Sequence, residues 1–150
     1  MQYHFKVHKE GNGYWAQGIE LQGCFTQGET REELEKNMCE ALNLLVAEPA
    51  DSDSLAPLPD ASTRISRTVV RVKLDPKIAL SLWLRYLRKK HHYTQKEVSE
   101  KLGFKSVYQY QRMESSKYNP TLKTLVELKD IFPELSIDDI VGDTRKRMYN

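Results

Sequence analysis

The chain has 150 residues, of which 39% are hydrophobic and 29% are charged, a balance typical of globular domains and unlike that of disordered or fibrous proteins. No apolar run approaches the roughly 18–20 residues that span a bilayer, and the first ten residues lack the apolar core of a signal peptide. We therefore expect a cytoplasmic protein without membrane contact. The only cysteines, Cys24 and Cys39, form no CxxC or metal pattern and are predicted to be free thiols.

The net charge of +2 hides an uneven distribution along the chain. Residues 1–60 carry four Lys or Arg against eleven Asp or Glu, a net charge of −7, whereas residues 61–150 carry nineteen against ten, a net charge of +9. This split predicts two modules, of which the first repels nucleic acid and the second attracts it. The alternative is that the two halves only neutralise each other.

The N-terminal part is predicted to begin with three strands. From Tyr3 to Val7, apolar and polar residues alternate with the period of a half-buried strand. Glycines at the turn Gly11–Gly13 indicate a hairpin, with a second strand from about Tyr14. A third short strand is predicted over Cys24–Gln27.

A helix and an edge strand complete the first predicted module, residues 1–74. Thr30 and Glu33 have the spacing of a capping box, and the apolar residues that follow at helical spacing would lie on the sheet: Leu34, Met38, Ala41, Leu42 and Leu45. The proline-rich stretch 48–63 is predicted to be a linker or extended excursion. Residues 66–74 then have the composition of an edge strand protected by charge.

The second predicted module, residues 75–150, is helical. Asp75 and Pro76 are typical of a helix start, and the predicted buried face of that helix consists of Ile78, Leu82, Trp83, Tyr86 and Leu87. The C-terminal end of this helix carries basic residues, which the helix dipole favours there: Arg85, Arg88, Lys89 and Lys90. Thr94 and Glu97 form a second capping box, opening a helix that ends at Gly103. Further helices are predicted from about Ser106, over 121–132 and over 136–141. The expected fold class is α+β.

Two short helices joined across a glycine turn predict a helix-turn-helix. In the stretch "SVYQYQRME", Val107, Tyr110 and Met113 can share the inward face, which leaves polar residues outward: Tyr108, Gln109, Gln111 and Arg112. Guanidinium and amide groups are those that read guanine and adenine edges in the major groove. Lys105 and Lys117 flank the helix where DNA phosphates would run. The predicted partner is double-stranded operator DNA.

The stretch from Tyr93 to Phe132 resembles the helix-turn-helix domain of the phage-repressor-like, or XRE, family. The resemblance lies in Gln95, Gly103, Glu114 and the pair Asn119-Pro120. Ser99 replaces a usual Ala, Tyr110 a usual Val or Ile, and the turn is one residue longer. The resemblance implies that Gln95 contacts phosphate and that Val107, Tyr108, Gln111 and Arg112 enter the major groove. The full predicted DNA-binding set is Gln95, Lys105, Ser106, Val107, Tyr108, Gln109, Gln111, Arg112 and Lys117.

The N-terminal stretch "GYWAQGIELQGCFTQGETREELEKNMCEAL" resembles the HicB antitoxins. That resemblance implies a partly degenerate ribonuclease H-like domain that binds and silences a HicA-like ribonuclease toxin, while the C-terminal domain represses the shared operon. A surplus of apolar residues near the C-terminal end favours a homodimer or higher homo-oligomer: Ile131, Phe132, Leu135, Ile137, Ile140 and Val141.

Catalysis, metal and cofactor sites are not expected. The first strand has no carboxylates to hold the metals of a nuclease. His4 and His8, four residues apart on a strand, are too far apart to chelate one ion and are predicted to lie at the surface. The rival function is a stand-alone regulator whose N-terminal domain senses a small ligand. A third is a nuclease tethered to DNA.

Overall fold

The computed structural model describes residues 1–47 and 53–142. Residues 48–52, the first part of the predicted linker, and residues 143–150 of the predicted second module lie outside the described residues. The chain divides into two compact units. Unit 1 comprises Met1–Val46, Ala56–Asp75 and Val141–Asn150, and unit 2 comprises Ala47–Leu55 and Pro76–Ile140. Unit 1 holds an antiparallel sheet and unit 2 is helical, which confirms the predicted α+β class.

Unit 1 is built on a four-stranded sheet. Its strands are β1 (Gln2–Glu10), β2 (Gly13–Gly18), β3 (Phe25–Gly28) and β4 (Val69–Lys73), in the order β3-β2-β1-β4 with every pair antiparallel. The edge strand predicted over 66–74 is observed as β4 at one edge of the sheet. The predicted glycine turn connects β1 and β2, which pair as a hairpin. The third strand begins one residue later than expected, and Cys24 directly before it is buried.

Helix α1 (Arg31–Val46) packs on the sheet through an apolar stripe. Its buried residues are Leu34, Met38, Leu42 and Val46, so Val46 takes the place predicted for Leu45, which is 40% exposed. The helix approaches β3 closely at Gly28, where an added Cβ would lie 2.6 Å from the backbone nitrogen of Leu34. A residue without a side chain is therefore required for this packing.

The predicted surface position of His4 is wrong. Its side chain is buried, its Nδ1 lies 2.5 Å from Oε1 of Glu20, and its backbone N–H donates to Oε2 of Glu20 at 3.0 Å. Glu20 also accepts the backbone N–H of Asp60 at 3.2 Å, so the later part of the predicted linker lies over this face of β1. His8 is half-buried and stacks on the Trp15 ring with centroids 4.0 Å apart.

Unit 2 contains the helices α2 (Pro76–Lys90), α3 (Gln95–Lys101), α4 (Val107–Glu114) and α5 (Leu122–Ile131), followed by the short helix Ile137–Val141. The predicted buried face of α2 is partly wrong: Trp83 is half-buried and Tyr86 is exposed, whereas Arg85 is buried and donates to the carbonyl of Ser54 at 3.2 Å. None of the helices in the described part of the chain is long and apolar enough to cross a bilayer.

Candidate nucleic-acid interface

Helix α3 has well-formed ends. Thr94 accepts the backbone N–H of Glu97 at 3.1 Å, and the Glu97 carboxylate accepts the backbone N–H of Thr94 at 2.7 Å, which is the predicted capping box. These bonds from Thr94 lower the pKa of Glu97. At the other end Gly103 has φ +69°, a left-handed conformation that glycine adopts without strain, and its N–H donates to the carbonyl of Glu100.

The turn between α3 and α4 is fastened by Ser99. Ser99 is buried, and its hydroxyl donates to the carbonyl of Ser106 at 3.2 Å. Its own carbonyl accepts the backbone N–H of Phe104 at 3.0 Å. An alanine at this position could not make the side-chain bond. Ser99 therefore stabilises the turn between α3 and α4.

Helix α4 separates an inner from an outer face. Ser106 caps its N-terminus by accepting the backbone N–H of Tyr108 at 3.2 Å. Tyr110 and Met113 are buried as predicted, while Val107 is only half-buried. Burial is the main cause that raises the pKa of Tyr110, and the nearby Glu114 carboxylate is the second. The phenol is therefore neutral at physiological pH.

The outer face presents the phenol of Tyr108, which is 64% exposed, and the exposed side chain of Arg112. These residues are four apart, so their side chains are neighbours on one side of the helix. Gln109 is also exposed, but its Oε1 accepts the backbone N–H of Lys105 at 3.1 Å and so helps to close the turn.

A hydrogen-bonded network holds α2, α3 and α4 together. Arg88 donates from Nε and Nη2 to the two oxygens of the Glu114 carboxylate at 2.6 and 3.1 Å. Gln95 donates to Glu114 Oε2 at 2.8 Å and accepts from Nε2 of Gln111 at 3.1 Å. Burial lowers the pKa of Arg88, but the bonds to Glu114 outweigh it, so the pKa lies above its ordinary value. The predicted contact residues Gln95 and Gln111 are thereby oriented from within the protein.

The nine predicted DNA-binding residues lie on or beside α3 and α4. Six are exposed: Lys105, Ser106, Tyr108, Gln109, Arg112 and Lys117. Three are half-buried: Gln95, Val107 and Gln111. Their contacts with DNA stay a prediction. Sequence reasoning missed the link between Arg88 and Glu114. The signal was present, because Glu114 follows Tyr110 by four residues and so falls on the inward face of α4.

The remaining reactive groups give no sign of a catalytic centre in the described residues. Within residues 1–47 and 53–142, no cluster of three or more His, Cys, Asp or Glu side chains is arranged to hold a metal ion. Cys24 is buried and Cys39 is half-buried, and burial raises the pKa of both thiols. Raised pKa values leave these groups as poorly reactive thiols at neutral pH.

Comparison with known proteins identifies the second unit. A family model described as helix-turn-helix, HTH_3, matches residues 84–140, which include α3, the turn and α4. Among curated proteins, none matches the chain. Residues 84–140 thus form a helix-turn-helix domain of the kind found in DNA-binding transcription regulators.

Proposed function

We propose that this protein is the antitoxin of a type II toxin–antitoxin system. Its N-terminal module binds and occludes a HicA-like ribonuclease toxin, and its helix-turn-helix domain represses the operon that encodes both proteins. The observation that carries the DNA-binding part is the outward display of Tyr108 and Arg112 on α4, the helix that follows the glycine turn. The toxin-binding part rests on the N-terminal resemblance and on charge.

For operator recognition, α4 enters the major groove with its exposed face toward the bases. Arg112 can donate two bonds to a guanine edge, and the amide of Gln111 suits adenine. The Tyr108 ring offers both apolar surface and a hydroxyl to the same groove. Lys105 and Lys117, both exposed, supply phosphate contacts that set the position of the domain on the duplex.

Dimerisation would match such a domain to a palindromic operator, because paired half-sites are read by two-fold related domains. Helix α5 supports this step: Leu122 is 79% exposed and Val126 is 56% exposed. They are four residues apart and so form one apolar stripe. Ile137 and Val141, from the predicted dimer set, are also exposed, whereas Phe132, Leu135 and Ile140 are buried within the fold.

For toxin binding, the stretch that resembles HicB antitoxins supplies β2, β3 and α1. The exposed acids of α1, among them Glu32 and Glu40, give this module an anionic surface. A ribonuclease needs a basic surface to hold its RNA substrate. An anionic module can therefore compete for that surface and steer the encounter electrostatically.

A gel-shift titration with the promoter upstream of this gene tests DNA binding. Arg112→Ala should weaken operator binding by about 1–3 kcal/mol and relax the preference for guanine at one position. Lys117→Ala is the matched control, since loss of a phosphate contact weakens binding to all sequences and lowers the salt slope by about one. The absence of a shift at low salt, or identical behaviour of both variants, would contradict base readout by α4.

Co-purification with the product of an adjacent small basic reading frame tests the antitoxin assignment. The expected result is a stable complex whose mass gives the stoichiometry and in which RNA cleavage by the partner is suppressed. A gene without such a neighbour, or a neighbour whose product neither binds this protein nor cleaves RNA, would favour the second candidate function.

That second candidate is a stand-alone regulator whose N-terminal domain senses a small ligand. One observation favours it. Unit 1 has a groove of about 540 Å³ beside the β1–β2 hairpin and the start of α1. The groove lies between exposed side chains rather than in an enclosed cavity, and enclosure is usual for small-molecule sites. Thermal stabilisation by a metabolite, with a change in DNA affinity, would support this alternative.

A further inference from the structure

The two faces of the sheet in unit 1 differ in what covers them. Side chains alternate between the faces along each strand, and α1 packs on the face that holds the buried Phe5, Val7 and Val72. The opposite face is called the outer sheet face below. The residues that matter on it are Lys6 on β1, Gln17 on β2, Phe25 and Gln27 on β3, and Arg71 and Lys73 on β4. None of the six is buried.

Phe25, Gln17 and Lys6 lie in one row across the outer sheet face. In the strand register, Phe25 pairs with Gln17, and Gln17 pairs with Lys6. Val69 of β4 completes the row beside Lys6, and Arg71 lies two residues further along β4 on the same face. Neighbouring strands are about 4.8 Å apart, so the backbone positions of Phe25 and Lys6 are separated by roughly 10 Å. An aromatic ring, an amide and two cations thus share one continuous surface.

Positive charge prevails on the outer sheet face, although unit 1 as a whole is close to neutral. Residues 1–46 carry four Lys or Arg against seven Asp or Glu, a net charge of −3, whereas residues 56–75 carry four against two, a net charge of +2. Five of the seven acids in the first segment lie within residues 29–40, on α1 or directly before it. Because α1 packs on the other face, most of the negative charge lies away from the outer sheet face.

The other acids near this face do not neutralise its cations. Glu20 lies against the buried His4, with Oε1 2.5 Å from Nδ1, and also accepts the backbone N–H of Asp60. Glu10 lies at the hairpin end of β1, opposite Gly13. In the described part of the chain, the three cations of the outer sheet face form no ion pair with a carboxylate. A bound polyanion would therefore meet positive charge without a competing partner among these residues.

Phe25 gives the outer sheet face an accessible aromatic ring. Its side chain is 61% exposed, and within the described residues it has no ring partner. His8 and Trp15 lie on the same face but stack on each other with centroids 4.0 Å apart, so neither is counted as a free ring. The amides of Gln17 and Gln27, the neighbours of Phe25 on β2 and β3, can both donate to and accept from the edge of a base.

We infer that the outer sheet face binds single-stranded RNA, with a base stacked on Phe25 and the phosphate backbone running past Lys6 and Arg71. Stacking on an aromatic side chain requires an unpaired base, and RNA offers such bases in loops and at ends. A protein partner would instead need a larger apolar centre, whereas Phe25 is the single large apolar side chain among the six residues. The inference goes beyond the proposed function and does not depend on it, since neither the operator nor the toxin is involved.

The prediction from net charge that the first module repels nucleic acid then applies only to its α1 side. Screened charges act over about 8–10 Å. The glutamates of α1 are separated from the outer sheet face by the sheet itself and by the apolar layer between sheet and helix. One small module can therefore present surfaces of opposite charge on its two sides.

The test measures binding of a fluorescein-labelled ten-uridine RNA to the full chain by fluorescence anisotropy, over a series of salt concentrations. The stacking variant is Phe25→Ala, and the charge variant combines Lys6→Gln with Arg71→Gln. The matched control combines Lys9→Gln with Lys36→Gln, which removes the same charge from the α1 side of the unit; both lysines are exposed. Circular dichroism and thermal unfolding establish that all variants are folded, and the exposed position of Phe25 keeps its truncation from disturbing the core.

We expect Phe25→Ala to bind the RNA about tenfold more weakly at every salt concentration, because the stacked base loses its ring. The charge variant should bind about tenfold more weakly at low salt. Its slope of log affinity against log salt should be smaller by about 1.4, since two phosphate contacts to a single strand are lost. The control should stay within about twofold of wild type. The cations of the helix-turn-helix domain add the same background to every variant, and gel shifts with the promoter duplex should be unchanged by Phe25→Ala.

Four outcomes would overturn the inference. These are absence of RNA binding by the wild type at low salt, equal affinity of wild type and Phe25→Ala, and equal losses in the charge variant and its control. The fourth is equally tight binding of a polyglutamate peptide, which would show that the face recognises negative charge without bases. None of these results bears on the antitoxin assignment, which co-purification tests separately.

Discussion

Replacing Arg88 by methionine keeps much of the side-chain volume but removes the cation that faces Glu114. The Glu114 side chain is fully buried, whereas that of Arg88 is 15% exposed. The variant therefore leaves a carboxylate that water cannot reach, still bonded to Gln95 but without a cation beside it. Removal of one partner from a buried ion pair costs about 3–5 kcal/mol, and we expect a loss of this size in the free energy of unfolding.

Removal of the charge from the other partner, by Glu114→Gln, should lower the free energy of unfolding by less, about 1–2 kcal/mol. Its amide keeps an acceptor for Arg88 or Gln95, and the guanidinium can turn toward solvent. The double variant Arg88→Met with Glu114→Leu removes both charges and should be more stable than Arg88→Met alone, because a buried pair can be replaced by apolar contacts at little cost.

Urea unfolding followed by circular dichroism measures all three variants, with differences in midpoint converted through the common slope. If Arg88→Met lost less than about 1 kcal/mol, or no more than Glu114→Gln, the carboxylate would not depend on Arg88 as the geometry requires. A changed slope would indicate separate unfolding of the two units and would call for a second probe within α4.

Three further predictions concern single contacts. Ser99→Ala should lose about 1 kcal/mol of stability and weaken DNA binding, measured by urea unfolding and gel shift, because the α3–α4 turn loses a side-chain bond; unchanged values would show that this bond is dispensable. Gly28→Ala should lose about 1–3 kcal/mol in thermal unfolding because its Cβ would meet the Leu34 backbone, and an unchanged melting temperature would contradict the close packing. The pKa of Glu134 is lowered to about 2, first by a hydrogen bond to its own backbone and then by a hydrogen bond to His91. The carboxylate therefore contributes stability above pH about 4.5, and this contribution is lost as the pH falls toward 2. Glu134→Gln should flatten that part of the curve of unfolding free energy against pH.

The helix boundaries of unit 2 could be predicted closely because their signals are local. Thr94, Ser106 and Thr121 each accept a backbone N–H two or three residues ahead in the structure, and such capping residues can be recognised from a few neighbouring positions. The glycine at 103 marks the turn for the same reason. The exposure of Tyr108 and Arg112 followed from helical periodicity alone.

Burial by distant segments could not be predicted in the same way. His4 was expected at the surface because the alternation of apolar and polar residues on β1 suggested that one face of the strand is exposed to solvent. In the structure, Glu20 and the segment around Asp60 cover that face. Arg85 was expected only as one of the cations at the C-terminal end of α2, yet its guanidinium is buried and bonded to the carbonyl of Ser54. Both contacts were missed for one reason: the linker region carries no periodic pattern, so nothing in its sequence shows what it covers.

The electrostatic division of the chain also changes once the units are known. Residues 76–140 of unit 2 carry twelve Lys or Arg against eight Asp or Glu, a net charge of +4. The C-terminal 90 residues reach +9 because residues 61–75 add +3 and residues 141–150 add +2. Net charge therefore explains little of partner choice by itself. The arrangement matters more: Lys105 and Lys117 flank the exposed face of α4, whereas α1 exposes Glu32 and Glu40. Since screened charges act over about 8–10 Å, a partner responds to the local patch that it approaches, and the proposed DNA and toxin partners would each meet a patch of opposite charge.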